Sequence, residues 1–481
     1  MSASAGALAR THSPAGLGPL DASRSPALTR ELPGLSTALD PDAMVTHLSR
    51  LFLGGSTRHT IDRCRPGHAT YLPGGGCLVR YELTITGWGP TLVNGRLFRS
   101  PAACSRHLHD RLAPLAIRAP GRALRGPFIA RVSAVEDLHL AVSRFPIDGE
   151  LPALIHAADP VMAGRVLRRA LGSRRGRCRV ALGHYGRRNR CVLVYELQGA
   201  STHPERIYGK VSVDGRGATA DAVIAALHAR LPHRPEGARV TVPRSLGFHP
   251  AMGLLLLESV PGSPRLSSLL KAMSGARSGS AAIERAVEGC AEVAAALHTS
   301  GVTLGPRRSI GRDLAQLGEA AEGVRRIAPP LGAWLNASLT EVEERLIGSR
   351  ALPACLCHGD FRHSQILFEG DRRALLDFDT VCQAEPALDL GHFLAYLRLS
   401  AAKRPALAHD VVDDLAERFV AAYLAAGGSP GSTPAAVRAR VSAFEAVALV
   451  RLAVHSWQKF KPERLAIVIT LLEERLSCLN P

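Results

Sequence analysis

The alternation of apolar and polar positions sorts the chain into a lead without pattern, a strand-rich middle and a helical end. Residues 1 to 38 are rich in Ser, Ala, Pro and Gly and show no sustained periodicity, so a disordered lead is expected there. From residue 39 the pattern predicts the same run of elements twice: helix, strand, turn, strand, strand, helix, then two more strands. Asp40-Pro41 and Asp159-Pro160 open the two runs, each with Asp as cap and Pro at the first helical position. The second run closes on Leu254-Leu255-Leu256-Leu257, an apolar strand that ends in the turn Pro261-Gly262. Helical periodicity then covers 282 to 300, 311 to 347 and 405 to 480. Between the last two, Ile366-Leu367-Phe368 and Ala374-Leu375-Leu376 flank Glu369-Gly370-Asp371 and predict a short hairpin.

The recurrence extends to residue identity. Residues 63 to 96 and 177 to 210 align without a gap at a constant offset of 114, and ten of the 34 positions are identical, where unrelated sequence would give about two. The matches include Cys64/Cys178, Tyr71/Tyr185, Cys77/Cys191, Tyr81/Tyr195, Glu82/Glu196 and Gly95/Gly209. The reading is an internal duplication. The copies part at one position: the second has Lys210, the only lysine in the first 270 residues, and the first has Arg96. Arginine keeps the charge, but its planar fork does not reproduce a compact ammonium.

The candidate chemistry lies between Cys355 and Leu397. An apolar lead-in ends at His358-Gly359-Asp360, and the second strand of the predicted hairpin delivers Asp377-Phe378-Asp379 to the same edge. The carboxylates of Asp360 and Asp377 and the amide of Gln365 are therefore expected in one small volume. Phosphoryl transfer suits such a set, because it needs an aligned hydroxyl and metal ions on the phosphate oxygens more than it needs covalent chemistry. Carboxylate and amide oxygens are hard ligands of the kind Mg²⁺ takes.

His-Gly-Asp, five residues to an amide side chain, then an apolar strand ending Asp-x-Asp: this run resembles the aminoglycoside phosphotransferase family, with its choline kinase-like and maltokinase-like branches, and shares the spacing of the protein-kinase catalytic loop. The resemblance implies an α+β, protein-kinase-like bilobal fold, with an antiparallel-sheet small lobe and a mainly helical large lobe. It implies ATP and Mg²⁺ as cofactors and transfer of the γ-phosphate to a hydroxyl of an aminoglycoside, sugar or amino-alcohol type of small molecule. Carried over residue by residue, Asp360 is the base that positions the acceptor hydroxyl. Arg362 and His358 belong to the same catalytic group, Gln365 and Asp377 hold the metal, and Asp389 braces the loop. Lys210 grips the α and β phosphates, and the backbone of Glu258, Ser259 and Val260 forms the hinge that pairs with adenine. Three features depart from the family pattern: Gln365 stands where Asn is usual, the helix after Lys210 offers Asp221 but no Glu, and the turn 186 to 190 holds three arginines and one glycine. They support the alternative of a catalytically weak, pseudokinase-like nucleotide-binding regulator acting through a protein partner.

At 481 residues the chain is long enough for several domains. The expected division is 1–38 lead, 39–157 degenerate small-lobe-like repeat, 158–262 nucleotide-binding small lobe and 263–481 helical catalytic lobe. No run of 18 uncharged apolar residues appears, and a soluble, cytoplasmic protein without a membrane partner is expected. The net charge of +17 raises nucleic acid as a partner. The excess is almost all arginine, since the chain has five lysines, and it is spread without aromatic interleaving, so nucleic acid is set aside. Ten scattered cysteines read as reduced thiols; a metal role for Cys355, Cys357 and His358 lacks a second ligand pair at a suitable spacing.

Overall fold

The computed structural model describes residues 17, 20–56, 58–124, 126–173, 176–187, 189–199, 206–231, 239–272, 280–404 and 409–478. Three short helices, α1 (Pro26–Glu31), α2 (Leu35–Leu39) and α3 (Pro41–Leu53), lead into strands β1 (Ile61–Leu72), β2 (Gly76–Ile85) and β3 (Gly89–Leu97). Helices α4 (Pro101–His107) and α5 (Ala113–Arg118) follow, then β4 (Val132–Val135) and β5 (Leu140–Arg144). These strands form one five-stranded antiparallel sheet in the order β1-β2-β3-β5-β4.

The same order returns after α6 (Leu154–Ala157) and α7 (Pro160–Ala170). Strands β6 (Arg177–Arg187), β7 (Arg190–Gln198) and β8 (Ile207–Ser212) precede α8 (Arg216–Arg230), β9 (Arg239–Thr241), β10 (Ser245–His249) and β11 (Leu254–Glu258). The second sheet runs β10-β11-β8-β7-β6. Registers agree at the offset of 114: Cys64 pairs with Leu83 as Cys178 does with Leu197, and Arg96 with Ala141 as Lys210 does with Leu255. The reason for a shared glycine is visible too. A Cβ on Gly95 would sit 2.9 Å from the Tyr81 ring and one on Gly209 2.2 Å from the Tyr195 ring, while each tyrosine hydroxyl donates 2.9 Å to a backbone carbonyl, of Ala38 and Ala157. Asp40 and Asp159 cap α3 and α7 as the sequence predicts.

The large lobe contains α9 (Arg265–Ala272), α10 (Ser280–His298), α11 (Ile310–Arg325), α12 (Pro329–Ile347), α13 (Ala387–Ala402), α14 (His409–Ala425), α15 (Pro434–Gln458) and α16 (Pro462–Cys478). Set into it are β12 (Cys355–Cys357), which pairs with β15 (Cys382–Ala384), and the hairpin of β13 (Ile366–Glu369) and β14 (Arg372–Leu375). Strand β9, from within the small-lobe stretch, crosses over and pairs in parallel with β14, so 158–262 is not confined to one sheet. Among the described residues no helix is long and apolar enough to cross a membrane.

One expectation is corrected. Residues 1–16, 18 and 19 lie outside the described residues, but 20–38 are folded: Leu28, Leu32 and Leu35 are buried, with Ser25 capping α1. Short helices with one or two buried residues each leave little periodicity to read, and burying their leucines supplies the stabilisation that composition alone does not reveal.

The first module touches both lobes. Its Tyr71 ring meets Trp457 of α15 edge-on at 5.7 Å, and its Arg80 guanidinium lies 3.7 Å above the ring of Tyr185 in the second sheet. Its Arg96 is engaged locally by Glu150 and the Gly75 carbonyl. Beside that pair, burial pushes the His107 ring down to about 4, with Arg96 and Arg111 adding to the effect and Glu150 opposing it. A histidine held neutral by the fold contributes stability that is complete above its ordinary value, 6.5, and is lost as pH falls from there towards 4. His107→Gln is therefore expected to narrow the drop in Tm between pH of about 7 and about 4.5; equal drops in the two proteins would exclude His107 as a source of acid sensitivity.

Candidate active site

The loop after β12 turns sharply at Gly359, whose φ is +77°. A Cβ there would lie 2.3 Å from the Thr380 carbonyl, so a side chain is excluded on both grounds. Asp389, fully buried near the start of α13, accepts the backbone N–H of His358 at 2.6 Å and of Gly359 at 2.7 Å, and the Nε2 of His298 lies 3.1 Å away. Burial raises this carboxyl, but His298 and the loop hydrogen bonds outweigh it and keep it below the ordinary carboxylate range. One ionised side chain thus satisfies two buried donors and fixes the direction in which Asp360 points.

Asp360 is held by three neighbours: Arg362 Nη2 at 3.0 Å, His392 Nε2 at 2.9 Å and Gln365 Nε2 at 3.2 Å. The same Gln365 amide donates to Asp377 at 3.2 Å, because the hairpin register sets Ile366 opposite Leu375 and Leu376 N–H returns to the Gln365 carbonyl. Residues 360, 365 and 377 therefore meet, as the spacing predicts. Asp377 has φ +72°, a strained conformation for a residue with a side chain and one found chiefly at functional sites.

Lys210 reaches across from β8 and places its Nζ 2.5 Å from Asp377 and 3.0 Å from Asp379. Burial raises the Asp377 carboxyl, yet the Lys210 ammonium overrides it and brings it down to about 2; Asp379 goes the other way, pushed up by burial and by the neighbouring charge of Asp377. Arg190, the first residue of β7, binds Asp379 and stands 3.6 Å from Asp377. Of the arginine-rich turn, Arg188 and the Arg187 side chain lie outside the described residues. Asp221, the one acid on α8, bonds Ser245 at 2.5 Å and not Lys210.

Two of the sequence-predicted residues are engaged elsewhere. His358 is completely buried, its ring directed 2.8 Å onto the Leu376 carbonyl between Phe361 and Phe378, so it packs the loop, and its charge would act on Asp377 and Asp389 from there. Glu258 donates its N–H to the Arg244 carbonyl at 2.9 Å, and its carboxylate accepts from the Arg244 guanidinium. Ser259 and Val260 follow where the chain leaves β11 for the large lobe. The thiols of Cys355 and Cys357, 3.8 Å apart, adjoin His298 and not His358.

Sequence reasoning did not assign Arg190, His298, His392 or Asp379. Asp379 was visible in the Asp-x-Asp spacing, and His392 follows Asp389 by three residues on one helix face. Arg190 and His298 had no local signal: their partners are 189 and 91 residues away.

Two facing lobes, with a lysine from the upper sheet on a carboxylate pair of the lower hairpin, define a kinase-like phosphotransferase. Residues 210–440, just under half of the chain, match the family model of the phosphotransferase enzyme family, and the match supports a small-molecule kinase. No curated protein matches the chain. Among solved structures, choline kinase from Cryptosporidium parvum Iowa II is 13% identical over 63% of this chain and 90% of that one, with a TM-score of 0.46. A choline/ethanolamine kinase family protein from Mesorhizobium loti is 18% identical over 68% and 97%, with a TM-score of 0.44. The GDP complex of wild-type aminoglycoside 2'-phosphotransferase-IIIa is 14% identical over 66% and 99%, with a TM-score of 0.42.

Proposed function

We propose that the protein transfers the γ-phosphate of ATP to a hydroxyl of a small molecule with Mg²⁺ as its metal. The observation that carries this reading is the meeting of Asp360, Gln365 and Asp377 around one amide, with Lys210 on the outer oxygen of Asp377. The donor set fits a hard cation: two carboxylates and the Gln365 Oε1, which is buried and has no hydrogen-bond partner among the described residues. Asp377 and Gln365 would hold the metal, which when bound neutralises the phosphate oxygens. The cations Lys210 and Arg190 now stand against Asp377 and Asp379, where they neutralise those carboxylates in turn.

Asp360 is the group that orients the acceptor hydroxyl and receives its proton. Its two oxygens are fixed by His392 and Arg362, so the lone pair that faces the acceptor is set before substrate arrives. Arg362 adds positive charge beside the reacting groups, and Lys210 supports the phosphates once a nucleotide takes its ammonium from the carboxylates. The backbone of Glu258, Ser259 and Val260 is the hinge that meets the base. The first small-lobe-like module has its Arg96 tied to Glu150, and we read it as structural.

ADP release from ATP, measured against a panel of hydroxylated small molecules, tests the proposal. Acceptor-dependent release is expected with Mg²⁺, abolished by a chelator and restored by added Mg²⁺. Nucleotide binding without transfer to any acceptor would assign the chain to regulation instead.

A further inference from the structure

A cleft beside the catalytic loop is lined by arginine. A cleft of about 720 Å³, within the size range of small-molecule sites, opens along the segment 303–313 and the start of α13. Arg307, Arg308 and Arg312 line it, with Phe444 of α15 also in its wall. Arg308 ties it to the catalytic loop: its Nη1 lies 3.3 Å from where a Cβ on Gly359 would stand, one residue before Asp360.

The two acids in the lining are already neutralised. Asp313 receives Arg308 Nε on both oxygens at 2.9 Å and Arg451 at 3.3 Å, and Arg451 also acts electrostatically on Asp360. Glu385 is held by Arg440 at 2.5 and 2.9 Å and caps the Leu352 N–H. Neither carboxylate is left to receive an ammonium. Arg307 and Arg312 are exposed at the rim, and their guanidinium forks suit carboxylate or phosphate oxygens. A cationic acceptor entering here would meet a repulsive field, and an anionic one would be drawn in.

Given a phosphotransferase at this site, we propose that the acceptor is an anionic hydroxylated small molecule, whose carboxylate or phosphate group is held by Arg307 and Arg312 while its hydroxyl faces Asp360. This deepens the proposed function by naming a substrate class, and it is tested by binding, independently of turnover. The full-length protein is screened by ligand-observed NMR against four matched probes: glucose, gluconate, glucose 6-phosphate and glucosamine. Gluconate or glucose 6-phosphate is expected to bind at least about tenfold more tightly than glucose, with glucosamine weakest, and the better of the two tells carboxylate from phosphate. In Arg307→Ala/Arg312→Ala the preference should fall by about tenfold, since a hydrogen bond to a charged group is worth roughly that factor, with ATP affinity unchanged. Equal binding of the four probes, preference for glucosamine, no binding, or a preference that survives the double substitution overturns the inference. Absence of turnover in the unaltered protein, with the anion preference intact, would instead count against the phosphotransferase reading.

Discussion

Asp360→Asn is expected to lower turnover by about 10²–10⁴-fold, the range for a lost general base, with little change in the affinity for ATP. The substitution is close to isosteric. An asparagine oxygen can still accept from His392 Nε2 or Arg362 Nη2, so the loop keeps its path, but the group that receives the acceptor proton is gone. The nucleotide end is anchored elsewhere, through Lys210 on β8 and the Asp377–Asp379 pair, and no hydrogen bond joins Lys210 to Asp360 among those described. Turnover measured as acceptor-dependent ADP release, beside the Kd for ATP, separates the two effects. Wild-type turnover in the variant would remove Asp360 from its assigned role.

What could be read from the sequence was what the chain settles over short distances. The five-residue step from Asp360 to Gln365, a tight turn and a return strand leave few ways to arrange the hairpin, and the observed register brings Asp377 back beside Gln365. The recurrence at an offset of 114 was equally legible, and the strand registers follow it pair by pair. The sequence could not show which distant groups hold these local pieces in place. Lys210 sits on Asp377 across 167 residues, and its expected acidic helix partner is replaced by the Asp377–Asp379 pair. His358 shows a subtler limit: its place next to Asp360 was plain, but the inward rotation of its ring depends on Leu376 and on packing between Phe361 and Phe378. The charge beside the catalytic loop was likewise hidden, because Arg451 of α15 meets Arg308 and Asp313 of the 303–313 segment only once the chain is folded.

The second large effect is expected at Asp389, where stability and catalysis meet in one carboxylate. Asp389→Ala leaves the buried N–H groups of His358 and Gly359 without an acceptor and strips His298 of its acid partner. A buried donor left unsatisfied costs about 1–3 kcal/mol, so two place the loss at roughly 2–6 kcal/mol, a large part of the roughly 5–15 kcal/mol that a folded protein commands. Asp389→Asn should fall between, because its single amide oxygen can serve one of the two N–H groups while its NH₂ confronts the other. The order wild type, Asn, Ala in urea midpoint is therefore the expected result. The same order is expected in turnover at temperatures where all three are folded, since Gly359 sets the direction of Asp360. Both variants matching wild type in midpoint would mean that the loop holds its shape without Asp389. A midpoint that falls while turnover of the folded fraction does not would mean that Asp389 stabilises the lobe without aiming the carboxylate, and the aim would then rest on His392 and Arg362.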